Sequence, residues 1–200
     1  MVAAALGALV WHSDQPGWID AWAMREIPAR SHGYRGFLVA SAISDALGPL
    51  LVGTVTAVAG LAWLRLRRRD LVVLALLAPP ATLAAKVALK HLVARRLPGT
   101  DILMYPSGHL AIATAVAVTV VLVVRAGTTS VRLELTVTTL AVLFVLVAAW
   151  ARLAETAHAL SDVVGGIATG IAVALGTALV VSAWSARRRS TMTGKGSTNG

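Results

Sequence analysis

The sequence predicts an all-α, polytopic membrane protein. Of its 200 residues, 57% are apolar and only 14% are charged, whereas charged residues make up about 25% of a typical soluble domain. Apolar runs also recur along the whole chain at about the 20-residue length that a helix needs to cross a bilayer. An ordinary soluble helical protein does not need runs of that length, so we expect a bundle of transmembrane helices.

Charge and cysteine content exclude several classes of function. Eighteen Lys and Arg against nine Asp and Glu give a net charge of +9, but the basic residues cluster at the ends of apolar runs, as in 65–70 and 187–189. That placement is typical of cytoplasmic membrane anchoring, so we expect no nucleic-acid partner. The chain has no cysteine, which excludes disulfides, Cys-ligated zinc and iron–sulfur clusters.

The N-terminal region does not begin with a full span. Residues 2–11 are apolar but too few to cross a bilayer, and they lack the basic flank of a signal peptide. This segment is either a truncated helix or one that is only embedded in the membrane. Residues 12–36 are polar and contain Trp, which predicts an interfacial loop with a short amphipathic helix.

Five full spans are predicted after this loop, over residues 46–64, 71–93, 109–124, 134–151 and 160–184. We expect residues 1–186 to form a single membrane-embedded domain. Residues 187–200 are predicted to be a basic, disordered cytoplasmic tail, because the end of the chain is polar and rich in Gly. The sequence leaves the oligomeric state open.

The distribution of Lys and Arg predicts the orientation of the spans. If 65–70 and 187–189 are cytoplasmic, alternation also places 125–133 inside and puts 94–108 and 152–159 outside. The N-terminal loop also falls outside, although its three basic residues, Arg25, Arg30 and Arg35, favour the cytoplasmic side. The end of the second span, the start of the third and the junction of the fourth and fifth then share the outer face.

That face gathers ionisable residues, which are costly in a bilayer and therefore indicate a site. His158 and Asp162 are four residues apart, so on a helix the carboxylate can accept a hydrogen bond from the imidazole and fix its tautomer. Arg152 converges on this pair only if the backbone bends between them. A snorkelling Arg beside a mutually satisfied polar pair is the alternative explanation.

The sequence YPSGH, at 105–109, precedes the third span. Pro106 and Gly108 favour a turn, and the free N–H groups of the following first helical turn form a site for a phosphate-like anion. Ser107 can add a hydroxyl donor, and His109 could protonate a leaving oxygen. A simple N-cap would explain Ser107 but not His109.

Basic residues complete the pattern on this face. Lys90, Arg95 or Arg96, and Arg152 could surround the oxygens of a transferring phosphoryl group. Each of these residues alone is commonly an interfacial snorkeller. Their coincidence with two histidines on one face favours a phosphoryl site.

These residues resemble the signatures of the type 2 phosphatidic acid phosphatase (PAP2) superfamily, which are Lys-x6-Arg-Pro, Pro-Ser-Gly-His and Ser-Arg-x5-His-x3-Asp. The second signature is intact at 106–109, and the third keeps its spacing with Ala151 in place of Ser.

The first signature departs from the pattern. Lys90 and Pro98 are in register, but Leu97 stands where Arg is expected. A Lys-x4-Arg variant of the superfamily fits Lys90 with Arg95, and Arg96 is the substitute.

The resemblance implies a six-helix layout and a lipid phosphate or isoprenoid pyrophosphate phosphatase with an outward-facing site. His158 would attack phosphorus, Asp162 would orient it, and His109 would protonate the leaving group and later activate water. The implied phosphate-binding residues are Lys90, Arg95 or Arg96, Ser107, Gly108 and Arg152. No metal or other cofactor is implied.

Two other functions stay open at this point: a phosphotransferase of the same chemistry, and a non-catalytic membrane protein that binds or transports lipid. The expected partners are the bilayer and a membrane lipid substrate, which could be phosphatidic acid, phosphatidylglycerol phosphate or an isoprenoid pyrophosphate. The amino-acid composition is rich in Ala, Val and Arg, which indicates a bacterial source. We therefore expect the protein to lie in a bacterial cell membrane.

Overall fold

The computed structural model describes residues 17–31, 33–96, 101–156 and 158–194. Within these ranges the chain forms six helices: α1 (Trp18–Arg30), α2 (Tyr34–Leu64), α3 (Arg69–Val93), α4 (Gly108–Gly127), α5 (Val131–Ala154) and α6 (Leu160–Gly194). The described residues contain no β-strand, only an isolated bridge between Arg96 and Leu103. The predicted all-α fold class is confirmed.

Five of the described helices, α2 to α6, are long and apolar enough to cross a membrane, as predicted. Helix α2 begins at Tyr34 rather than at residue 46, because backbone hydrogen bonding continues through Ser44 and Asp45, where the apolar pattern stops. Helix α6 extends beyond residue 184 to Gly194, so the first part of the predicted tail is helical. The predicted domain boundary at residue 186 stays a prediction.

Helix α1 lies in the segment where a short interfacial helix was predicted. Trp18 and Trp22 are exposed, as suits a helix at the membrane surface. The side that faces the bundle carries Asp20, which is only 5% exposed. The same side buries Ala23 and packs Ile27 against the core, and Asp20 can be buried beside them because of the partners that it finds in the site. The apolar run 2–11 lies outside the described residues.

Helix α4 is the centre of the bundle, since it is the most buried of the five spans. It contacts α6 most extensively, followed by α5 and α3. Its apolar side chains form a core with residues of α2, α5 and α6, and this core includes Leu47, Leu51, Leu110, Val116, Leu153 and Val163. The N-terminus of α4, which follows the YPSGH stretch, is therefore surrounded by other helix ends.

Helices α4 and α6 approach closely because α6 carries glycine where the two helices touch. A methyl group at Gly170 would lie 2.4 Å from the carbonyl oxygen of Ala111, and one at Gly166 would lie 2.6 Å from that of Ser107. Small residues commonly permit such close helix contacts in membranes. This contact sets the position of the start of α4 against α6.

We predict that Gly170→Ala lowers the thermal unfolding midpoint of the purified protein. The added methyl group must push α4 away from α6, and overpacking of this kind typically costs about 1–3 kcal/mol. The matched control is Gly176→Ala, which adds the same methyl group where nothing lies within 4 Å. Equal midpoints for the two variants would contradict the close contact.

Candidate active site

The YPSGH stretch is held against the start of α6. The backbone N–H of Ser107 donates to the carbonyl oxygen of Asp162 at 2.9 Å. Tyr105 is fully buried, and its ring fills the space beside Gly165, where a methyl group would lie 2.4 Å away. Burial, together with the charge of Asp162, raises the pKa of Tyr105 to about 12. These contacts place the first turn of α4 next to the first turn of α6.

Ser107 occupies the N-cap position of α4 without acting as a cap. Its side chain forms no capping hydrogen bond, and its Oγ is buried with no partner among the described residues. The simple N-cap explanation of this residue is therefore wrong. A buried, unpaired hydroxyl beside the free amides of a first helical turn is an arrangement that a bound anion would satisfy.

His158 and Asp162 lie close together, although His158 precedes α6 rather than lying on it. The distance from His158 Nδ1 to Asp162 Oδ2 is 3.7 Å, which is too long for a hydrogen bond. Nδ1 has no other partner among the described residues, and the His158 side chain is 11% exposed. Hydrogen bonds of catalytic groups are often long before substrate binds. This distance therefore suits an imidazole that forms its hydrogen bond to Asp162 only when substrate is bound.

Other groups fix the carboxylate of Asp162, which is completely buried. Its Oδ1 accepts a hydrogen bond from Arg95 at 3.0 Å, and its Oδ2 accepts one from the backbone N–H of Ala159 at 3.0 Å. Charge-assisted hydrogen bonds such as the one from Arg95 are the strong ones. The position of the carboxylate is therefore set independently of His158.

Sequence reasoning missed Asp20 and Ser161, which extend this network to α1. Asp20 accepts hydrogen bonds from the Ser161 backbone N–H at 2.8 Å, from the Ser161 hydroxyl at 2.7 Å and from Arg95 at 3.0 Å. The only sequence signal was an acidic residue in a Trp-bearing interfacial segment. Nothing in the sequence links Asp20 to Arg95, 75 residues away.

The two candidate arginines of the first signature have different surroundings. Arg95 is only 5% exposed, and its guanidinium binds Asp20, Ser161 and Asp162. Arg96 is exposed and pairs with Asp101 at 2.6 Å. Phosphate binding by either residue stays a prediction, and the contacts of Arg95 suit a residue that holds Asp162 in place.

Two lysines of α3 face the start of α4. Lys90 Nζ donates to the carbonyl oxygen of Leu103, which ties it to the loop before YPSGH. Lys86, one turn earlier, covers Gly108, where a methyl group would lie 2.7 Å from the Lys86 Nζ. Lys86 was not a predicted site residue, although an ionisable residue inside a span is the signal that could have found it.

His109 and Arg152 approach the same place from α4 and α5. His109 is exposed, and it lies within range of electrostatic interaction with Arg152, His158 and Lys86. The two imidazoles, which belong to distant segments of the chain, therefore face a common region.

The backbone bend that Arg152 needs is present after α5. The helix ends at Ala154, and Thr156 adopts a positive φ of 55°. Arg152 Nη1 donates to Glu155 Oε2 at 2.5 Å and to Ser44 Oγ at 3.4 Å. The Arg is thus tethered by its neighbour while it lies near His109.

The structure brings together the two histidines, Asp162 and most of the predicted phosphate-binding residues: Lys90, Ser107, Gly108 and Arg152. Arg95 is buried between Asp162 and Asp20, and Arg96 is on the surface. No group of three or more His, Asp or Glu side chains in the described part of the chain could hold a metal ion.

Comparison with known proteins adds one finding. Residues 91–186 match the model of the PAP2 superfamily. A search of curated proteins and a search of solved structures gave no match. The matched segment contains both histidines and Asp162, whereas Lys86 and Lys90 lie just before it.

We predict that Arg95→Gln destabilises the protein by about 3–5 kcal/mol, because removing one partner of a buried ion pair leaves an uncompensated charge. Here Asp20 and Asp162 would both lose their cation. Combining Asp20→Asn with Arg95→Gln should recover part of the loss, giving a coupling energy in a double-mutant cycle of unfolding free energies.

Arg96→Gln is the matched control for this cycle. Its pair with Asp101 is exposed, and such pairs contribute about 0–1 kcal/mol. If Arg95→Gln were as stable as Arg96→Gln, the buried network would not have the structural role described.

Proposed function

Since the chain carries a PAP2 superfamily domain over residues 91–186, we propose that it is an integral membrane phosphatase that hydrolyses a lipid phosphate or an isoprenoid pyrophosphate. The observation that carries the proposal is the 2.9 Å hydrogen bond from the Ser107 N–H to the Asp162 carbonyl, which holds the first turn of α4, with His109, beside the start of α6, with His158 just before it. Binding a lipid head group does not require two imidazoles, whereas phosphoryl transfer uses one as nucleophile and one as acid and base.

In the proposed reaction His158 is the nucleophile. Its Nδ1 lies on the Asp162 side, which leaves Nε2 to attack phosphorus and form an N–P bond while the P–O bond to the leaving group breaks. His109 gives its proton to the departing oxygen. Water then attacks the phosphohistidine, His109 takes up a proton from it, and inorganic phosphate leaves as the N–P bond breaks.

The surrounding donors would stabilise the charge on the three equatorial oxygens of the transferring group. The unpaired Ser107 hydroxyl and the first amides of α4, which have no partner inside their own helix, would form one side of this cradle. Lys90 and Arg152 would form the other. Ordered donors of this kind need little rearrangement during the reaction.

An apolar groove supports a substrate with an aliphatic chain. It lies between α4, α5 and α6 and has a volume of about 460 Å³, within the range of about 300–1,000 Å³ for small-molecule sites. Thr114 and Ile167 are among its lining residues. Thr114 follows His109 by five residues, and Ile167 follows Asp162 by five, which is about 7.5 Å of helix rise in each case. A lipid tail in this groove would therefore place its phosphate within reach of the site.

The basic clusters support an outward-facing site. Helix α3 starts at Arg69, and α6 reaches Arg188 far from its first turn, so both clusters lie at the ends of these helices opposite the site. Arg69 lies 5.7 Å from the Trp63 ring and Arg188 lies 4.0 Å from the Trp184 ring. Trp and basic residues together are typical of a cytoplasmic interface. A bacterial source stays a prediction.

We predict that the purified protein releases inorganic phosphate from one or more of phosphatidic acid, phosphatidylglycerol phosphate and an isoprenoid pyrophosphate. His158→Ala should lower kcat by a factor of about 10³ or more, because the nucleophile is lost. His91→Ala is the matched control, since His91 is exposed on α3, and its kcat should be unchanged.

The same assay separates the competing functions. Activity that survives His158→Ala would contradict the mechanism. Transfer of the phosphoryl group to an added alcohol would identify a phosphotransferase. Lipid binding without turnover would favour a binding or transport protein.

A further inference from the structure

We infer that Lys86 binds the phosphate group of the substrate and provides the cation that the first signature lacks where Leu97 replaces Arg. The inference deepens the proposed function and rests on it for the identity of the anion. Anion binding by Lys86 can nevertheless be measured without turnover.

Lys86 lies beside Lys90 and over the start of α4. It precedes Lys90 by one helical turn, so both side chains lie on the same face of α3. A methyl group at Gly108 would lie 2.6 Å from Lys86 Cε and 2.7 Å from its Nζ. The ammonium group therefore lies over the first turn of α4.

The start of α4 holds more hydrogen-bond donors than acceptors. Ser107 Oγ is completely buried and unpaired among the described residues, and the first amides of α4 have no partner inside their own helix. Lys86 adds an ammonium group, which can only donate hydrogen bonds. A ligand with several acceptor oxygens and negative charge would satisfy all three.

The carboxylates near the site are already paired with arginines. Asp20 and Asp162 are occupied by Arg95, and Glu155 is occupied by Arg152. Within the described ranges, no carboxylate forms an ion pair with Lys86 or Lys90. Two like charges one turn apart on a helix repel each other, and the cost is larger near a membrane interior. A phosphate dianion between them would remove this repulsion.

Arg95 does not fill this role in the structure. Its guanidinium is buried and already bound to two carboxylates, whereas Lys86 is half-buried and forms no ion pair within the described ranges. Turning Arg95 toward a phosphate would leave Asp162 without its cation. Lys86 can bind an anion without such a loss.

The test measures binding of inorganic phosphate to the purified full-length protein by calorimetry. Lys86→Gln should raise the Kd for phosphate at least about tenfold, the lower end expected for loss of a hydrogen bond to a charged group. Lys86→Arg, which keeps the charge, should retain most of the affinity. Arg132→Gln is the control, because Arg132 is exposed at the opposite end of the bundle, and its affinity should match that of the unaltered protein.

A second measurement covers the case in which Lys86→Gln fails to fold. In the unaltered protein, inorganic phosphate should protect Lys86 from an amine-reactive reagent, as mapped by peptide mass spectrometry. Absence of protection, or an unchanged Kd in a folded Lys86→Gln variant, would overturn the inference.

The two proposals fail in different ways. Phosphate binding that depends on Lys86, without hydrolysis of any lipid phosphate, would support the Lys86 site and count against the phosphatase. Hydrolysis that depends on His158, with phosphate affinity and kcat/KM unaffected by Lys86→Gln, would support the phosphatase and overturn the role of Lys86.

Discussion

The buried carboxylate of Asp162 is the group on which the rest of the site depends. A charge without exposure to water is costly unless it is paired and hydrogen-bonded, and Asp162 meets that requirement through Arg95 and the N–H of Ala159. Its backbone carbonyl also holds Ser107. One residue thereby fixes the loop that carries His158, the start of α4 and, through Arg95, the position of Asp20 on α1.

This arrangement divides the cations into two groups by whether they form an ion pair. Arg95 and Arg152 are bound to carboxylates, so they are held in place by the protein. Lys86 and Lys90 come from one face of α3 and lie beside the unpaired donors at the start of α4. A site that contains cations without carboxylate partners and a buried unpaired hydroxyl before its ligand arrives is organised for an anion, and little needs to move when the anion binds.

The sequence predicted local features well, because they depend on spacing within one segment. The five spans followed from apolar runs, and the start of α4 after YPSGH followed from its turn residues. Helix spacing predicted a hydrogen bond between His158 and Asp162, but His158 lies before α6 and the two side chains are 3.7 Å apart. Asp20, Ser161 and the orientation of Arg95 could not be predicted, since they depend on contacts between α1, α3 and α6 that no local pattern encodes. The starting point of α2 was missed because hydropathy reports burial in lipid and not the length of a helix.

The most direct test of the account is to identify the phosphorylated residue during turnover. The protein would be mixed with a lipid phosphate labelled in its phosphoryl group, quenched within milliseconds, and digested for mass spectrometry under conditions that preserve acid-labile N–P bonds. We expect a phosphohistidine at His158 that disappears in the His158→Ala variant. Label on Asp162, on another carboxylate or on His109 during turnover would contradict it.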